Sequence, residues 1–382
     1  MKRIFLLAAL ALSTLTSFAQ FSGSGSGTTS DPYKIFYPDQ LNQVRNYPNQ
    51  SGVYFKLMED IDLTDWITAN NPGQGWEPIG IESAPFMGVF DGNGKTLTGF
   101  TINRTSDYVG FFGYISGATV KNLTMTGEVK GGSYTGAFAG AGSGTLTGLT
   151  FNGNVTGSNY TGGIIGNSQA TMTNVHVYGD VKGAQYVGGN AGQTTSTISN
   201  ATITGNVTAT SSYGGGIVGS TTANISTANV TGKVTGSSGY VGGIAGKSSG
   251  DITNATASGD VKGTNNIGGI CGQSADAKSF TNCCSTGNVN GSTKVGGICG
   301  EGNSTTFTNC YSYGNVTGTG NYVGGIAGRC GIDQDCCINN CISFGDVCGK
   351  YYVGGIAGEY GVTEAQPTLY EYRVYNLNSA AL

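Results

Sequence analysis

The heptapeptide Tyr240-Val-Gly-Gly-Ile-Ala-Gly246 decides the fold of this 382-residue chain, because it recurs ten times with substitutions. Successive copies start 26 to 30 residues apart. They begin at Tyr108, Tyr134, Tyr160, Tyr186, Tyr213, Tyr240, Asn266, Lys294, Tyr322 and Tyr352. Repeats of this length are typical of solenoid proteins, in which each unit packs only against its neighbours.

A second pattern lies between the copies and is clearest at 251–261, Asp-Ile-Thr-Asn-Ala-Thr-Ala-Ser-Gly-Asp-Val. Its apolar positions fall at i, i+3, i+5 and i+9, which indicates strand alternation followed by a turn. A unit with two or three such short strands cannot bury its apolar face alone. The sequence therefore predicts an all-β fold: a parallel β-solenoid, or β-helix, of about ten 26–30-residue coils with N- and C-terminal caps.

One column of residues supports this register. The fifth position of the repeated motif is apolar in nine of ten copies, as expected for a side chain that faces the core. The column reads Phe112, Phe138, Ile164, Asn190, Ile217, Ile244, Ile270, Ile298, Ile326 and Ile356. We expect the exception, Asn190, to bond to neighbouring backbone, since a buried amide needs partners.

Composition excludes several classes of protein. The 68 glycines are roughly 18% of the chain, against a usual share of about 7%. Charged residues make up 10%, too few for a coiled coil or helical bundle. Only 7 prolines accompany the glycines, so collagen is excluded. A net charge of −4 without a basic run argues against a nucleic-acid partner.

The chain divides into four predicted regions. Residues 1–19 read as a secretory signal peptide, with a basic start, an apolar run and small residues before the cleavage point. Residues 20–105 form an N-terminal cap with a short helix near Asp39–Val44 and irregular first coils. Residues 106–360 are the repeats, and 361–382 form a closing strand with alternating tyrosines. No later segment is apolar enough to span a membrane, so we expect an exported protein.

The tyrosines that open the repeats are the first candidate ligand-binding residues. Two interpretations stay open: the rings offer sugar-binding faces along one edge of the rod, or they pack over one another and stabilise the stack. The eight are Tyr108, Tyr134, Tyr160, Tyr186, Tyr213, Tyr240, Tyr322 and Tyr352.

All ten cysteines lie between 271 and 348. We expect five of them to face inward and pack as small apolar residues: Cys271, Cys299, Cys283, Cys310 and Cys341. Among the remainder we expect one or two disulfides, because export permits oxidation. The candidates are Cys330, Cys336, Cys337 and Cys348. The Cys336-Cys337-x-x-x-Cys341 spacing does not suit zinc, so no metal or cofactor is predicted.

Carboxylates are the third candidate. Glu59, Asp60, Asp62 and Asp65 cluster before Trp66, and Asp333 and Asp335 lie in the longest repeat. Paired carboxylates could serve a glycosidase. Acidic residues at strand edges are more often solvated, however, and no Lys/Arg/Asp cluster recurs on one face. We therefore assign no catalytic residues.

The repeat resembles the GLUG repeat of bacterial secreted and surface proteins. The resemblance rests on Tyr-Val-Gly-Gly-Ile-Ala-Gly with its upstream Thr-Asn-Cys/Ala-x-Ser/Ala-x-Gly-Asn/Asp-Val, and covers about 106–360. It implies an extracellular, adhesin-like protein with a right-handed, pectate-lyase-like β-helix. GLUG repeats also precede the metallopeptidase domain of some immunoglobulin-cleaving proteases. This chain has a single histidine, His176, so it lacks a His-Glu-x-x-His zinc motif.

The expectation is a non-enzymatic protein, secreted or on the surface of a bacterium, that binds an extracellular glycan or a host surface protein. The alternatives are a polysaccharide-active lyase or hydrolase on the same fold, or a structural spacer without a ligand.

Overall fold

A computed structural model describes residues 21–275, 278–331 and 336–361. The predicted signal peptide at 1–19 lies outside the described residues, as does the predicted closing strand apart from Gly361. The prediction of an all-β parallel solenoid of about ten coils is confirmed. Every pairing between its named strands is parallel and joins one coil to the next. No helix in the described part of the chain is long and apolar enough to cross a membrane.

The N-terminal region contains more helix than the sequence analysis predicted. Its elements are β1 Tyr33–Ile35, α1 Pro38–Asn42, a 3-10 helix Gln43–Asn46, β2 Tyr54–Leu57, β3 Ile61–Asp62 and α2 Thr64–Asn70. The predicted helix near Asp39–Val44 is present, but it begins at Pro38 and changes to 3-10 geometry after Asn42. The unpredicted α2 is tied to α1 by Trp66, whose indole N–H donates to Asp39 at 2.7 Å.

Three long strands form the first coils: β4 Val89–Asn103, β5 Phe112–Lys130 and β6 Ala139–Thr156. Shorter strands follow as β7 to β38. They are Thr161–Gly162, Ile165–Tyr178, Val181–Gly183, Val187–Gly188, Ala191–Thr194, Ile198–Ile203, Val207–Ala209, Gly214–Gly215, Val218–Thr221, Ile225–Val230, Val234–Gly236, Val241–Gly242, Ala245–Ser248, Ile252–Ala257, Val261–Lys262, Asn265–Gly268, Cys271–Ser274, Ser279–Thr281, Cys284–Ser285, Val289–Gly291, Thr293–Gly296, Cys299–Gly302, Thr306–Thr308, Tyr311–Ser312, Val316–Gly318, Asn321–Gly324, Ala327–Cys330, Cys337–Asn339, Ile342–Ser343, Val347–Cys348, Tyr351–Gly354 and Ala357–Tyr360.

A regular coil has four strands, not the two or three that the spacing indicated. In one coil these are β18 Val241–Gly242, β19 Ala245–Ser248, β20 Ile252–Ala257 and β21 Val261–Lys262. The additional strands are only two residues long, which is too short to show alternation in the sequence. The first strand of each regular coil belongs to an eight-stranded sheet, and the others belong to a thirty-stranded sheet that follows the rest of the coil.

The core is built from inward columns, as the repeat spacing predicted. Ile225 pairs with Ile252 and Ala228 with Ala255, so each apolar side chain lies over its counterpart in the next coil. The fifth-position column is buried throughout, including Asn190. The amide nitrogen of Asn190 donates to the Val175 carbonyl at 3.4 Å, while its oxygen has no partner within the described structure.

The Gly-Gly pair of the motif is required by close packing between coils. A Cβ on Gly242 would lie 2.1 Å from the Ala245 carbonyl oxygen, and one on Gly243 would lie 2.1 Å from the Gly269 carbonyl oxygen. A Cβ on Gly243 would also meet Ala257, an inward side chain of the same coil, at 2.6 Å. The pair therefore lets the backbone of one coil approach both the next coil and the core.

Candidate functional site

The tyrosines form a continuous stack along the rod. Six rings, one from each of six successive coils, lie face to face with centroids 4.5–4.9 Å apart and planes within 5° of parallel. These are Tyr108, Tyr134, Tyr160, Tyr186, Tyr213 and Tyr240, here called the tyrosine stack. Tyr322 and Tyr352 form a separate pair at 5.0 Å near the other end.

The backbone explains how the rings come to overlap. Every tyrosine of the stack has a positive φ between 54° and 64°, a left-handed conformation that is uncommon outside glycine and asparagine. Because all copies share this conformation and the coils are in register, the rings leave the backbone in the same direction. The spacing of parallel strands, about 4.8 Å, then places each ring in contact with the next.

Stacking restricts what the tyrosines can offer to a ligand. Inside the stack each ring is covered on both faces, so the edges and hydroxyl groups are what remain half-exposed. Burial, followed by the neighbouring phenols Tyr213 and Tyr160, raises the pKa of Tyr186. The Tyr186 phenol is therefore neutral at physiological pH and can both donate and accept hydrogen bonds.

A polar cluster interrupts the column of tyrosines where the motif begins with Asn266 and Lys294. Its centre is Glu301, whose carboxylate accepts from Lys294 Nζ at 2.6 Å and from Asn266 Nδ2 at 2.7 Å. Gln273 donates to the same carboxylate, and Arg329 lies 3.7 Å from it. Burial alone would raise the pKa of Glu301, but the Lys294 contact and the two amides outweigh it and lower the pKa. The cluster therefore gives the buried Glu301 carboxylate its ion-pair and hydrogen-bond partners.

A cleft lies at the head of the tyrosine stack. It has a volume of about 720 Å³ and is bounded by the 77–83 segment and by Arg104, Ser106, Asp107 and Tyr108. Tyr134 stacks on one face of Tyr108, and the ring of Tyr114 lies tilted against Tyr108 with centroids 5.8 Å apart. Sequence reasoning missed this cleft, although Asp107, directly before the first tyrosine, was a visible signal.

The inward cysteines lie where the repeat spacing places them. Cys271 pairs in register with Cys299, in a column that continues Ala245 and leads to Ala327. Cys283 and Cys310 are fully buried, and Cys341 is half-buried beside Cys310. The thiols of Cys283 and Cys341 hydrogen-bond to that of Cys310, which lowers the pKa of Cys310 and raises the pKa of each neighbour. These residues fill core positions occupied by alanine in earlier coils.

The structure joins Cys330 and Cys336 as a disulfide with a Cα–Cα distance of 5.8 Å. The other two disulfide candidates, Cys337 and Cys348, are exposed free thiols. In the described ranges, no group of three or more His, Cys, Asp or Glu side chains is arranged to hold a metal ion.

The predicted carboxylate cluster does not converge on one site. Asp62 accepts from the backbone and hydroxyl of Thr64 at the start of α2, which lowers its pKa. Asp60 accepts from the Thr96 amide at 2.7 Å. Asp333 and Asp335 lie outside the described residues. Asp60 and Asp62 therefore each hold a segment of neighbouring backbone in place.

Comparisons with known proteins match the repeat motif and parts of the chain. A family model described as the GLUG motif matches residues 237–262, so the predicted resemblance to GLUG-repeat proteins is confirmed. A provisionally named Gly-rich membrane protein of Evansella cellulosilytica is 41% identical over 127 residues, which are 33% of this chain and 14% of that protein. Halomucin of Haloquadratum walsbyi is 33% identical over 104 residues, or 26% of this chain.

The chain spans 14% of the first relative's length and 1% of the second's. Among solved structures, it is similar to a protein of Bacteroides ovatus provisionally described as an immunoglobulin A1 protease. That likeness has a TM-score of 0.47 and 22% identity, and covers 76% of this chain and 77% of the other. The GLUG motif and the fold define the chain as a β-helix repeat protein.

Proposed function

We propose that this protein is an exported, non-enzymatic, adhesin-like surface protein that binds an extracellular glycan along the edge of the tyrosine stack. The observation that carries the proposal is the unbroken row of six phenol edges, spaced 4.5–4.9 Å apart. Such a row offers repeated hydrogen-bond donors and acceptors to a polymer that itself repeats.

The chemistry of the ring supports a role beyond packing. A phenylalanine would stack about as well as a tyrosine, because the contact is between ring faces. Packing alone therefore does not call for the hydroxyl group. The hydroxyls can exchange hydrogen bonds with sugar hydroxyls while the ring edges contact their apolar CH groups.

The weak charge of the rod also favours a neutral or weakly charged polymer over a nucleic acid. The chain has 18 basic and 22 acidic residues in 382, and long-range electrostatic steering of a highly charged ligand would need a much larger excess of one sign. The relatives named as a membrane protein and a mucin support a location at the cell exterior.

The test uses variants that remove the hydroxyls but keep the rings. Native electrophoresis through gels that contain host or plant polysaccharides should show retardation of the parent protein. The triple variant Tyr160→Phe, Tyr186→Phe, Tyr213→Phe should lose at least half of this retardation at an unchanged melting temperature. The matched control is Tyr178→Phe with Tyr313→Phe, two exposed tyrosines outside the stack, which should behave like the parent.

Three outcomes would overturn the proposal. If the triple variant is retarded as strongly as the parent, the phenol edges do not bind the glycan. If the parent is retarded by none of the polysaccharides, the glycan itself is the wrong ligand class and a host surface protein becomes the better candidate. Release of reducing ends in a parallel assay would show that the protein is a polysaccharide-active enzyme.

A further inference from the structure

We propose that the cleft at the head of the tyrosine stack binds an amino-sugar unit that carries a free, positively charged amine. This inference rests on the proposed function, since it assumes a glycan ligand and names its chemistry. The cleft would hold one end of the chain while the phenol edges follow the rest.

The shape of the cleft suits a sugar ring. Its volume of about 720 Å³ lies within the range of about 300–1,000 Å³ that is usual for small-ligand sites. Tyr108 contributes an aromatic ring that is stacked on Tyr134 and has the tilted ring of Tyr114 beside it, with centroids 5.8 Å apart. Pro78 and Ile81 form an apolar wall, and Ile81 is 62% exposed despite being a large aliphatic residue. A pyranose has apolar CH faces that would cover these surfaces.

The charge of the cleft selects the kind of sugar. Three carboxylates line it, from Glu77, Glu82 and Asp107, against a single guanidinium from Arg104. Arg104 is already occupied, because it donates to the carbonyls of Trp76 and Gly75 and to the Gln74 side chain. Arg104 keeps its positive charge, but within the described structure it forms no ion pair with the carboxylates, which still outnumber it in the cleft.

The three carboxylates differ in how many of their oxygens are already paired. Glu77 is paired with Arg45 at 3.2 Å. Asp107 uses one oxygen to accept from the Ser133 amide at 2.7 Å, which leaves its second oxygen. Glu82 is exposed, and within the described structure it has no ion pair or hydrogen bond. A cation in the cleft would thus meet Glu82 and the free oxygen of Asp107.

Both acids lie close to the aromatic platform. Burial raises the pKa of Tyr108, and the negative charges of Glu82 and Asp107 raise it further. Glu82, Asp107 and Tyr108 all line the cleft, so an ammonium group on a sugar bound there would meet the negative charge of both carboxylates. A neutral sugar would leave Glu82 unpaired, and an acidic sugar would be repelled by the same charges.

The experiment compares two oligosaccharides that differ only in the group on C2, which is a free amine in one and an uncharged acetamide in the other. Glucosamine hexamer and N-acetylglucosamine hexamer have the same backbone, but only the first has free amines. Isothermal titration of the full chain should give at least tenfold tighter binding of the glucosamine hexamer, with an affinity that falls as salt is added. Glu82→Gln should weaken binding of this hexamer at least fivefold. The control Glu59→Gln, another exposed carboxylate, should leave it unchanged.

A second variant tests the aromatic platform. Tyr108→Asn keeps a residue that tolerates a positive φ, as Asn266 does at the same position of a later coil. It should weaken binding of the glucosamine hexamer at least fivefold, and Tyr108→Phe, which keeps the ring and loses only the hydroxyl, should weaken binding less than Tyr108→Asn does.

Several results would overturn this inference. Equal binding of the two hexamers, or a Glu82→Gln variant that binds like the parent, would exclude a cationic ligand in the cleft and leave the proposed glycan function standing. Binding of a lysine-rich peptide that depends on Glu82, with no binding of either hexamer, would assign the cleft to a protein partner. Absence of binding by every sugar in both experiments would remove the proposed function as well.

Discussion

At the scale of single residues, the tyrosines combine a costly backbone conformation with a favourable side-chain contact. A non-glycine residue with a positive φ is uncommon, yet each tyrosine that opens a repeat adopts one. The conformation directs the ring along the row, where contact with two neighbours offsets the backbone strain. Asparagine and lysine take the same conformation where the stack is interrupted. The coil therefore determines the backbone conformation, and the side chain determines whether a stack forms.

We expect Tyr186→Asn to lower the free energy of unfolding by about 1–3 kcal/mol. Asparagine tolerates the backbone conformation, so the loss comes from two ring contacts of about 0.5–1.5 kcal/mol each. Tyr186→Phe keeps both contacts and should stay within about 0.5 kcal/mol of the parent. Urea denaturation followed by circular dichroism measures both. An asparagine variant as stable as the parent would mean that the stack contributes nothing to stability.

A second prediction concerns a buried hydroxyl group. Ser312 is 1% exposed, and its hydroxyl finds no hydrogen-bond partner in the described structure. Because an unsatisfied buried polar group costs about 1–3 kcal/mol, Ser312→Ala should raise the free energy of unfolding by about 1 kcal/mol.

The control for this change is Ser168→Ala. In the parent, the Ser168 hydroxyl is as deeply buried as that of Ser312, but it bonds to the Ala170 carbonyl and amide. It should lower stability by about 1 kcal/mol. The two serines must therefore change the melting temperature in opposite directions. A loss of stability in both would show that Ser312 has a partner.

At the scale of the element, two side-chain ladders hold the corners of successive coils in register. In one, asparagines with positive φ bond amide to carbonyl, as from Asn282 to Asn254 at 3.0 Å and from Asn309 to Asn282 at 3.1 Å. In the other, a side-chain oxygen accepts the backbone amide of the next coil, as Asp180 does from Asn206 at 2.7 Å. A slip by one residue would break both ladders at once.

The Gly-Gly corner gives a prediction at this scale. Gly243→Ala should cost several kcal/mol, because the new Cβ would lie 2.1 Å from the Gly269 carbonyl oxygen and the backbone of the next coil must move. Gly239→Ala, in the adjacent turn, is the control. Its new Cβ would lie no closer than 3.4 Å to any atom, and its melting temperature should match the parent's.

Much of the arrangement of strands and inward columns could be predicted from the sequence. The spacing of apolar residues located the inward columns, and alignment of the repeated motifs placed Cys271 over Cys299. Helix α2 was missed, because it is seven residues long with a single buried apolar position, Ile67. The asparagine ladder was also missed, although an asparagine recurs at that corner in most repeats.

The candidate site was less predictable, for a physical reason. Whether ring faces are open or covered depends on the direction in which the backbone points them, and strand alternation does not predict a positive φ. The cleft brings together Glu82 and Tyr108, which belong to different coils and share no pattern. Glu301 and its partners from 266 to 329 likewise meet only because coils stack.

At the scale of the whole molecule, the Glu301 cluster joins four successive coils, from Asn266 through Lys294 and Arg329 to Glu359. It occupies the interval between the tyrosine stack and the Tyr322–Tyr352 pair. Arg329 lies 5.3 Å from the centre of the Tyr322 ring, which links the ionic cluster to the second aromatic pair. Contacts between coils therefore continue along this edge where the phenols stop.

The cluster predicts how stability depends on pH. The pKa of Glu301 is lowered by folding, so its contribution is complete above the ordinary glutamate pKa of about 4.3 and is lost as the pH falls through and below that value. The melting temperature should therefore fall more steeply below about pH 4 in the parent than in Glu301→Gln. Thermal denaturation from pH 3 to 7 measures this difference. Parallel pH profiles would mean that the carboxylate is not stabilised by its partners.

The parallel register of the coils has a mechanical consequence. Hydrogen bonds between coils run along the rod, so a pulling force on its two ends would detach one coil at a time. A coil of 27 residues occupies about 5 Å of the rod but extends to about 90 Å once released. Each detached coil would thus lengthen the rod by many times the height of a coil, which lowers the force before the next coil detaches. In the proposed role at the cell surface, a rod under load would therefore lengthen in steps and limit the force that reaches its bound ligand.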